Sequence, residues 1–128
     1  MNLALTHDAE LTYRIIGLAM RVHRALGPGL LEGVYQRCLC YELRKAEIAF
    51  VTQVQLPVRY GGVEIESGYR ADIIVRSEVV LELKSVEHLS SLHEAQLLTY
   101  LRLSECEAGL LINCNTVSLT DGIRRRVL

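Results

Sequence analysis

Apolar side chains recur at intervals of three and four along residues 8–26, through Leu11, Ile15, Leu18, Ala19, Val22 and Leu26, which marks one stripe of an amphipathic helix. Thr6 or Asp8 is placed to cap its start. Gly27-Pro28-Gly29 stops it, since a glycine takes the left-handed conformation after a helix and a proline cannot continue one. The same spacing predicts a second helix over 30–45, with Leu31, Val34, Tyr35, Leu39 and Leu43 inward and Glu42, Arg44 and Lys45 toward water. The period then shortens, and three strands are predicted over 50–60, 63–75 and 78–86, the first two joined at Gly61-Gly62. Pro57, which has no N–H for a ladder, makes the first an edge strand or a bulged one. Ser90 or Ser91 opens a third helix, with Glu94 as its capping-box partner and Leu97, Leu98, Leu101 and Leu103 along it. Residues 108–112 read as a short buried strand that Asn113-Cys114-Asn115 breaks, and 117–128 forms a short terminal element. The expected fold is α/β, a central mixed sheet flanked by helices.

The chain of 128 residues sets a prior of one domain over 1–128, and with half the residues hydrophobic and 23% charged it should fold compactly. A net charge of −1 provides no bulk attraction to nucleic acid or anionic lipid, so any such contact must be local. The one dense basic run, Arg124-Arg125-Arg126, reads as a solvated tail. Cys38, Cys40, Cys106 and Cys114 have no C-x-x-C spacing and are expected to be free core thiols. With no secretory pattern at the start and no apolar stretch of membrane-spanning length, the expected setting is a reducing cytoplasm, without a membrane.

Chemistry concentrates in residues 69–84, where Asp72, Glu82 and Lys84 interrupt runs that otherwise read as buried strand. Ile73-Ile74-Val75 and Val79-Val80-Leu81 flank Arg76-Ser77-Glu78, the pattern of an antiparallel hairpin. Strand alternation puts Glu82 and Lys84 on one face and Leu81 and Leu83 on the other. One reading is a structural ion pair. The other starts from Asp72, whose second carboxylate leaves more acid than one lysine neutralises, and such a site invites a divalent cation for metal-assisted phosphodiester hydrolysis.

Elsewhere the residues alone carry plainer readings. Glu32 lies in the first turn of its helix, where a carboxylate favours the dipole, and it shares a face with Tyr35. Gln96 and Tyr100 form the polar edge of a helix packed on the sheet, and His23 is a core or rim histidine. His88 and His93 are five apart and do not share a helix face, so no zinc site is expected. Gly27-Pro28-Gly29 follows a helix rather than a strand, which rejects a dinucleotide loop.

Taken in order, several stretches resemble one family. Gly29-Leu30-Leu31-Glu32-Gly33-Val34-Tyr35 fits the G-x-x-E-x-x-Y signature of the GxxExxY proteins, a branch of the PD-(D/E)XK nuclease superfamily. Val22 to Pro28, Arg70-Ala71-Asp72, Glu82-Leu83-Lys84, the run from His93 to Leu101 and Gly109 to Asn113 resemble it too. The resemblance implies a restriction-endonuclease-like core and a Mg²⁺-dependent nuclease, with Mn²⁺ as substitute. It maps Asp72 and Glu82 as metal ligands and Lys84 as the group that stabilises or activates the nucleophile. It further implies that Glu32 completes the metal shell or holds a metal-bound water, that Gln96 steadies the site, and that Tyr35 and Tyr100 support it. The implied partner is nucleic acid, DNA rather than RNA, with a homodimer where both strands are cut. Cys114 departs from the family, which tends to carry an aromatic there, and this bears on packing rather than on the acids. The alternative is a non-catalytic binding or assembly module that keeps the nuclease fold and works with a partner protein.

Overall fold

Val75 and Glu78 close the turn at the centre of the molecule: the Glu78 N–H donates to the Val75 carbonyl over 2.9 Å, and Arg76 and Ser77 both take positive φ, 54° and 57°. That is the geometry of a type I′ turn, whose twist suits a hairpin, here formed without the usual glycine. The computed structural model describes residues 7–128, with side chains from residue 9 onward. The proposed caps Thr6 and Asp8 therefore lie outside the described residues or side chains. In chain order come α1 (His7–Leu26), α2 (Glu32–Lys45), β1 (Phe50–Gln55), β2 (Val58–Tyr60), β3 (Val63–Ile65), β4 (Arg70–Val75) and β5 (Val79–Lys84). They are followed by α3 (Ser91–Ser104), β6 (Ala108–Asn113), a short 3-10 helix (Leu119–Gly122) and β7 (Ile123–Val127).

Five strands form a mixed sheet in the order β1-β4-β5-β6-β7. β5 and β6 run parallel, joined through α3, and the other neighbours are antiparallel. Alternation divides the sheet's side chains between two cores. Ile73, Val75, Val79, Leu81, Leu83, Leu110 and Ile112 pack with α1 and α2, while Ile74, Val80 and Leu111 pack with Leu97, Tyr100 and Leu101 of α3. At Gly109 of β6 the approach of α3 is close: an added Cβ would lie 2.8 Å from Leu97 Cδ1. The α/β class and the mixed central sheet are as expected, and they match a restriction-endonuclease-like core.

Four local expectations are corrected. The second helix begins at Glu32, not at residue 30, and Leu31 and Val34 face out at 75% and 44% exposure; Leu31 is the extended N-cap, and Val34 falls beside the stripe of Tyr35, Leu39 and Leu43. The strands expected over 50–60 and 63–75 each break in two, and β2 with β3 forms a separate two-stranded ribbon. Pro57 lies at the first break and Gly68, at φ 78°, near the second. The Ser67 hydroxyl donates to the Leu56 carbonyl, and the Leu56 N–H donates to the Tyr69 carbonyl, which closes the base of the ribbon. β1 is an edge strand, as Pro57 implied, and its pairing with β4 skips Gln53, which sits at φ 52°.

The capping box of α3 uses His93, not Glu94. Ser90 is the N-cap, so the third helical position is His93, whose Nδ1 accepts the Ser90 N–H while the Ser90 hydroxyl accepts the His93 N–H. Glu94 pairs instead with Arg126. Arg124-Arg125-Arg126 is accordingly no tail: it lies within β7, paired to Leu111, Leu110 and Gly109 of β6.

Candidate active site

The β4–β5 register pairs Ile73 with Leu81, which makes Asp72 and Glu82 the next opposed residues, but the ladder ends before them. Their side chains take over. The Asp72 N–H donates to Glu82 Oε2 over 2.8 Å, and the Leu83 N–H donates to Asp72 Oδ2 over 2.8 Å. β5 continues beside β6 as far as the pair Lys84 and Asn113. The two strands thus part at the acids, and each carboxylate is locked by main chain from the other strand, using one oxygen in that bond and keeping the second outside it.

The arrangement carries an electrostatic strain. Glu82 is 4% exposed, and burial first, then the charge of Asp72, push its carboxyl up to about 8 against the bond from the Asp72 N–H and the charge of Lys84. Asp72 is also raised, by burial first, with Glu32 adding to it, while the Leu83 N–H, Lys84 and Arg70 oppose. Lys84 is half-buried, and among the described residues its ammonium forms no ion pair with either acid. The structural ion pair read as one option from the sequence is therefore not made. Tyr100 of α3 completes this corner: burial, then Glu82 and Asp72, push its phenol up to about 12.

Glu32, at the first position of α2, comes to the end of β5, where its Oε1 accepts the Ser85 N–H over 3.0 Å. Its charge reaches Asp72 and Glu82, but among the described residues no three His, Cys, Asp or Glu side chains are grouped so as to hold a metal ion. Gln96 is half-buried on α3, one turn before Tyr100. Tyr35 sits apart from the acids, fully buried in the α1/α2 core, where its hydroxyl donates to the Ala19 carbonyl over 2.8 Å. Its support is to the helix pair. His23 is a core histidine, Nε2 against the Val117 carbonyl at 3.1 Å, with buried Nδ1 unpartnered.

Three residues matter to which the sequence assigned no role. Ser85 holds Glu32 by its N–H and donates its hydroxyl to the Leu30 carbonyl, so it ties the entry of α2 to the exit of β5. The Asn113 side chain accepts the Val86 N–H and donates to the Val86 carbonyl, clamping that exit to β6. Tyr69 packs edge to face on Tyr100, ring centroids 5.9 Å apart at 68°. A lone aromatic before a strand carries no local signal for such a contact. Cys114 is fully buried with Sγ 3.2 Å from the Lys84 carbonyl, so its departure from the family falls in the packing at the end of β6.

A mixed sheet whose central hairpin ends in two opposed acids and a lysine defines a nuclease-type domain. The model of the PD-(D/E)XK nuclease superfamily matches residues 9–126, and the chain belongs to that superfamily. It is similar to the crystal structure of SSO0001, with a TM-score of 0.53 and 26% identity over 73% of this chain; the match covers 47% of that chain, so this one spans about half its length. No curated protein matches the chain. Nucleases of this superfamily generally use divalent metals. Among the described residues no helix is long and apolar enough to cross a membrane.

Proposed function

We propose that the protein is a Mg²⁺-dependent nuclease of the GxxExxY type that hydrolyses phosphodiester bonds in DNA. The observation that carries this reading is the reciprocal pair of Asp72 and Glu82: two carboxyls fixed by backbone, both raised by burial first, Glu82 also by the charge of Asp72, with Lys84 in no ion pair to either among the described residues. Their donor chemistry fits a hard cation, because each acid keeps an oxygen outside its backbone bond and, among the described residues, the pair has no counterion at contact. Asp72 and Glu82 would hold the ion, with Glu32 reaching it from α2. When bound, Mg²⁺, or Mn²⁺ in its place, polarises the phosphate and lowers the pKa of the attacking water.

The chain's own residues supply position and charge. The N–H groups of Asp72 and Leu83 hold the two carboxylates in one arrangement before substrate arrives, so none of that ordering is left to the reaction. Lys84 places a cation where the phosphate gathers negative charge and orients the attacking water. Gln96 steadies the substrate from α3, and Tyr100 presents a neutral hydroxyl beside the acids. The signature residues divide their work: Gly29, at φ 90°, turns the chain, Glu32 faces the end of β5, and Tyr35 bolts α2 to α1. One acid pair cuts one strand at a time, and a homodimer would present two pairs to the two strands of a duplex.

The test supplies Mg²⁺ or Mn²⁺ with assorted DNA and RNA and compares wild type with Asp72→Ala and Lys84→Ala. Metal-dependent cleavage lost in both variants supports the reading; equal activity in all three disposes of it. A second reading, a nuclease-fold binding or assembly module without turnover, draws on the lack of a ready three-ligand group among the described residues. It predicts nucleic-acid or protein binding that is indifferent to magnesium.

A further inference from the structure

Against Tyr69 lies a hollow of which the proposed chemistry uses only Gln96. It has a volume of about 290 Å³ and is bounded by Tyr69 at the start of β4 and by Leu92, His93, Gln96 and Thr99 of α3. Tyr69 rests on Tyr100, and the phenol of Tyr100 feels the charges of Glu82 and Asp72. The hollow thus opens one aromatic ring away from the acids. Its size falls at the small end of ligand sites, roughly 300–1,000 Å³, which suits a single flat ring system and not a duplex.

The lining has the chemistry of a base site. Tyr69, 38% exposed, and Leu92, 76% exposed, offer an aromatic ring and an apolar side chain. Tyr69 is held by Tyr100, so its ring has little freedom to lose when another ring stacks on it. The Gln96 carboxamide carries a donor and an acceptor side by side, the pattern that meets a base edge. His93 Nδ1 accepts the Ser90 N–H over 3.0 Å, which leaves the ring proton on Nε2 as a second donor. Arg70, next to Tyr69, is close enough to Asp72 to lower its carboxyl and adds positive charge where a phosphate would pass.

We propose that this hollow takes the nucleobase next to the scissile phosphate, unstacked from its neighbours, and that the preferred substrate is therefore an unpaired strand, as in a single-stranded segment, flap or frayed end. A base inside an intact duplex would first have to leave the stack, at an energetic cost that an unpaired base is spared. Stacking on Tyr69 accepts any base, and Gln96 adds a modest preference among them. This inference rests on the nuclease reading above.

The experiment measures kcat/KM in Mg²⁺ on one DNA oligonucleotide as a single strand, as a blunt duplex, and as a single strand with an abasic residue beside the cut. Wild type should prefer the single strand. Tyr69→Ala should lower kcat/KM by roughly 5- to 150-fold, the range for loss of one base stack, and Tyr69→Phe should keep it. Leu92→Ala, at an exposed position that does not endanger folding, should move in the same direction. The abasic strand should cost wild type a similar factor and Tyr69→Ala nothing further. A blunt duplex cut as fast as the single strand, Tyr69→Ala cutting like wild type, or an abasic penalty that persists in Tyr69→Ala overturns the base site while leaving the nuclease standing. No cleavage of any DNA by wild type overturns both.

Discussion

Asp72 and Glu82 each accept a backbone N–H from the strand opposite, 2.8 Å in both directions, at the point where β4 and β5 stop pairing. Each carboxylate thus takes an N–H that the ladder would otherwise leave open. The price is charge: a carboxyl only 4% exposed is held beside another acid.

Replacing Asp72 separates the two roles. Asp72→Asn keeps an oxygen for the Leu83 N–H and removes the charge, so it should fold, raise the stability of the metal-free protein at pH 8, and lower cleavage by at least about 10²- to 10³-fold. Asp72→Ala should lose the same activity and also leave that N–H without its acceptor, at about 1–3 kcal/mol. Urea denaturation and cleavage rates on both variants check this.

A pH dependence follows from Glu82, whose carboxyl rises from 4.5 to about 8 in the folded, metal-free protein. Between those values the native state keeps a proton that the unfolded chain has released. The contribution to stability is therefore fully present below about pH 4.5 and is lost as pH rises through 8, and Asp72, also raised, acts in the same direction. Thermal melts in EDTA from pH 5 to 9 should show wild type falling relative to Glu82→Gln, and saturating Mg²⁺ should remove most of the difference. A wild type that gains on Glu82→Gln as pH rises would contradict it.

Tyr35 supports the fold and not the acid pair. Tyr35→Phe removes a buried hydroxyl bond to the Ala19 carbonyl, which keeps its place in the α1 helical ladder, and should cost about 0.5–1.5 kcal/mol. The cleavage rate per folded molecule, measured well below the melting temperature, should stay at the wild-type value.

Gly109 sets how closely α3 lies on the sheet. In Gly109→Ala the new Cβ meets Leu97 Cδ1 at 2.8 Å and Leu101 Cδ2 at 3.1 Å, and both leucines are fully buried. The expected cost is about 1–3 kcal/mol. Because α3 carries Gln96 and Tyr100, kcat/KM should fall too. Calorimetric melts and cleavage kinetics measure the two effects.

The central hairpin could be read from the chain because both its faces are buried, so apolar runs on either side of Arg76-Ser77 had to be strands and the charges within them stood out. The β2–β3 ribbon could not. Val63 and Ile65 are exposed yet β-branched, and they read as a strand continuing to residue 75, whereas the break depends on bonds of Leu56 to Ser67 and Tyr69 across the ribbon's base. Three arginines hid β7, whose strand character comes from pairing with β6. At the site, the presence of Asp72, Glu82 and Lys84 was legible and their bonding was not: alternation gives a face, but only the parting of the strands frees two N–H groups for the acids. Tyr69 and Tyr100 meet across 31 positions of sequence, beyond the reach of any local spacing.

A magnesium titration of the metal-free protein by calorimetry at pH 7, beside Asp72→Asn, tests the acid pair most directly. The account predicts saturable binding at the acid pair, with a proton displaced because Glu82 holds one up to about pH 8, and loss of that binding in Asp72→Asn. No saturable heat in the wild type, or the same isotherm for both proteins, would contradict it.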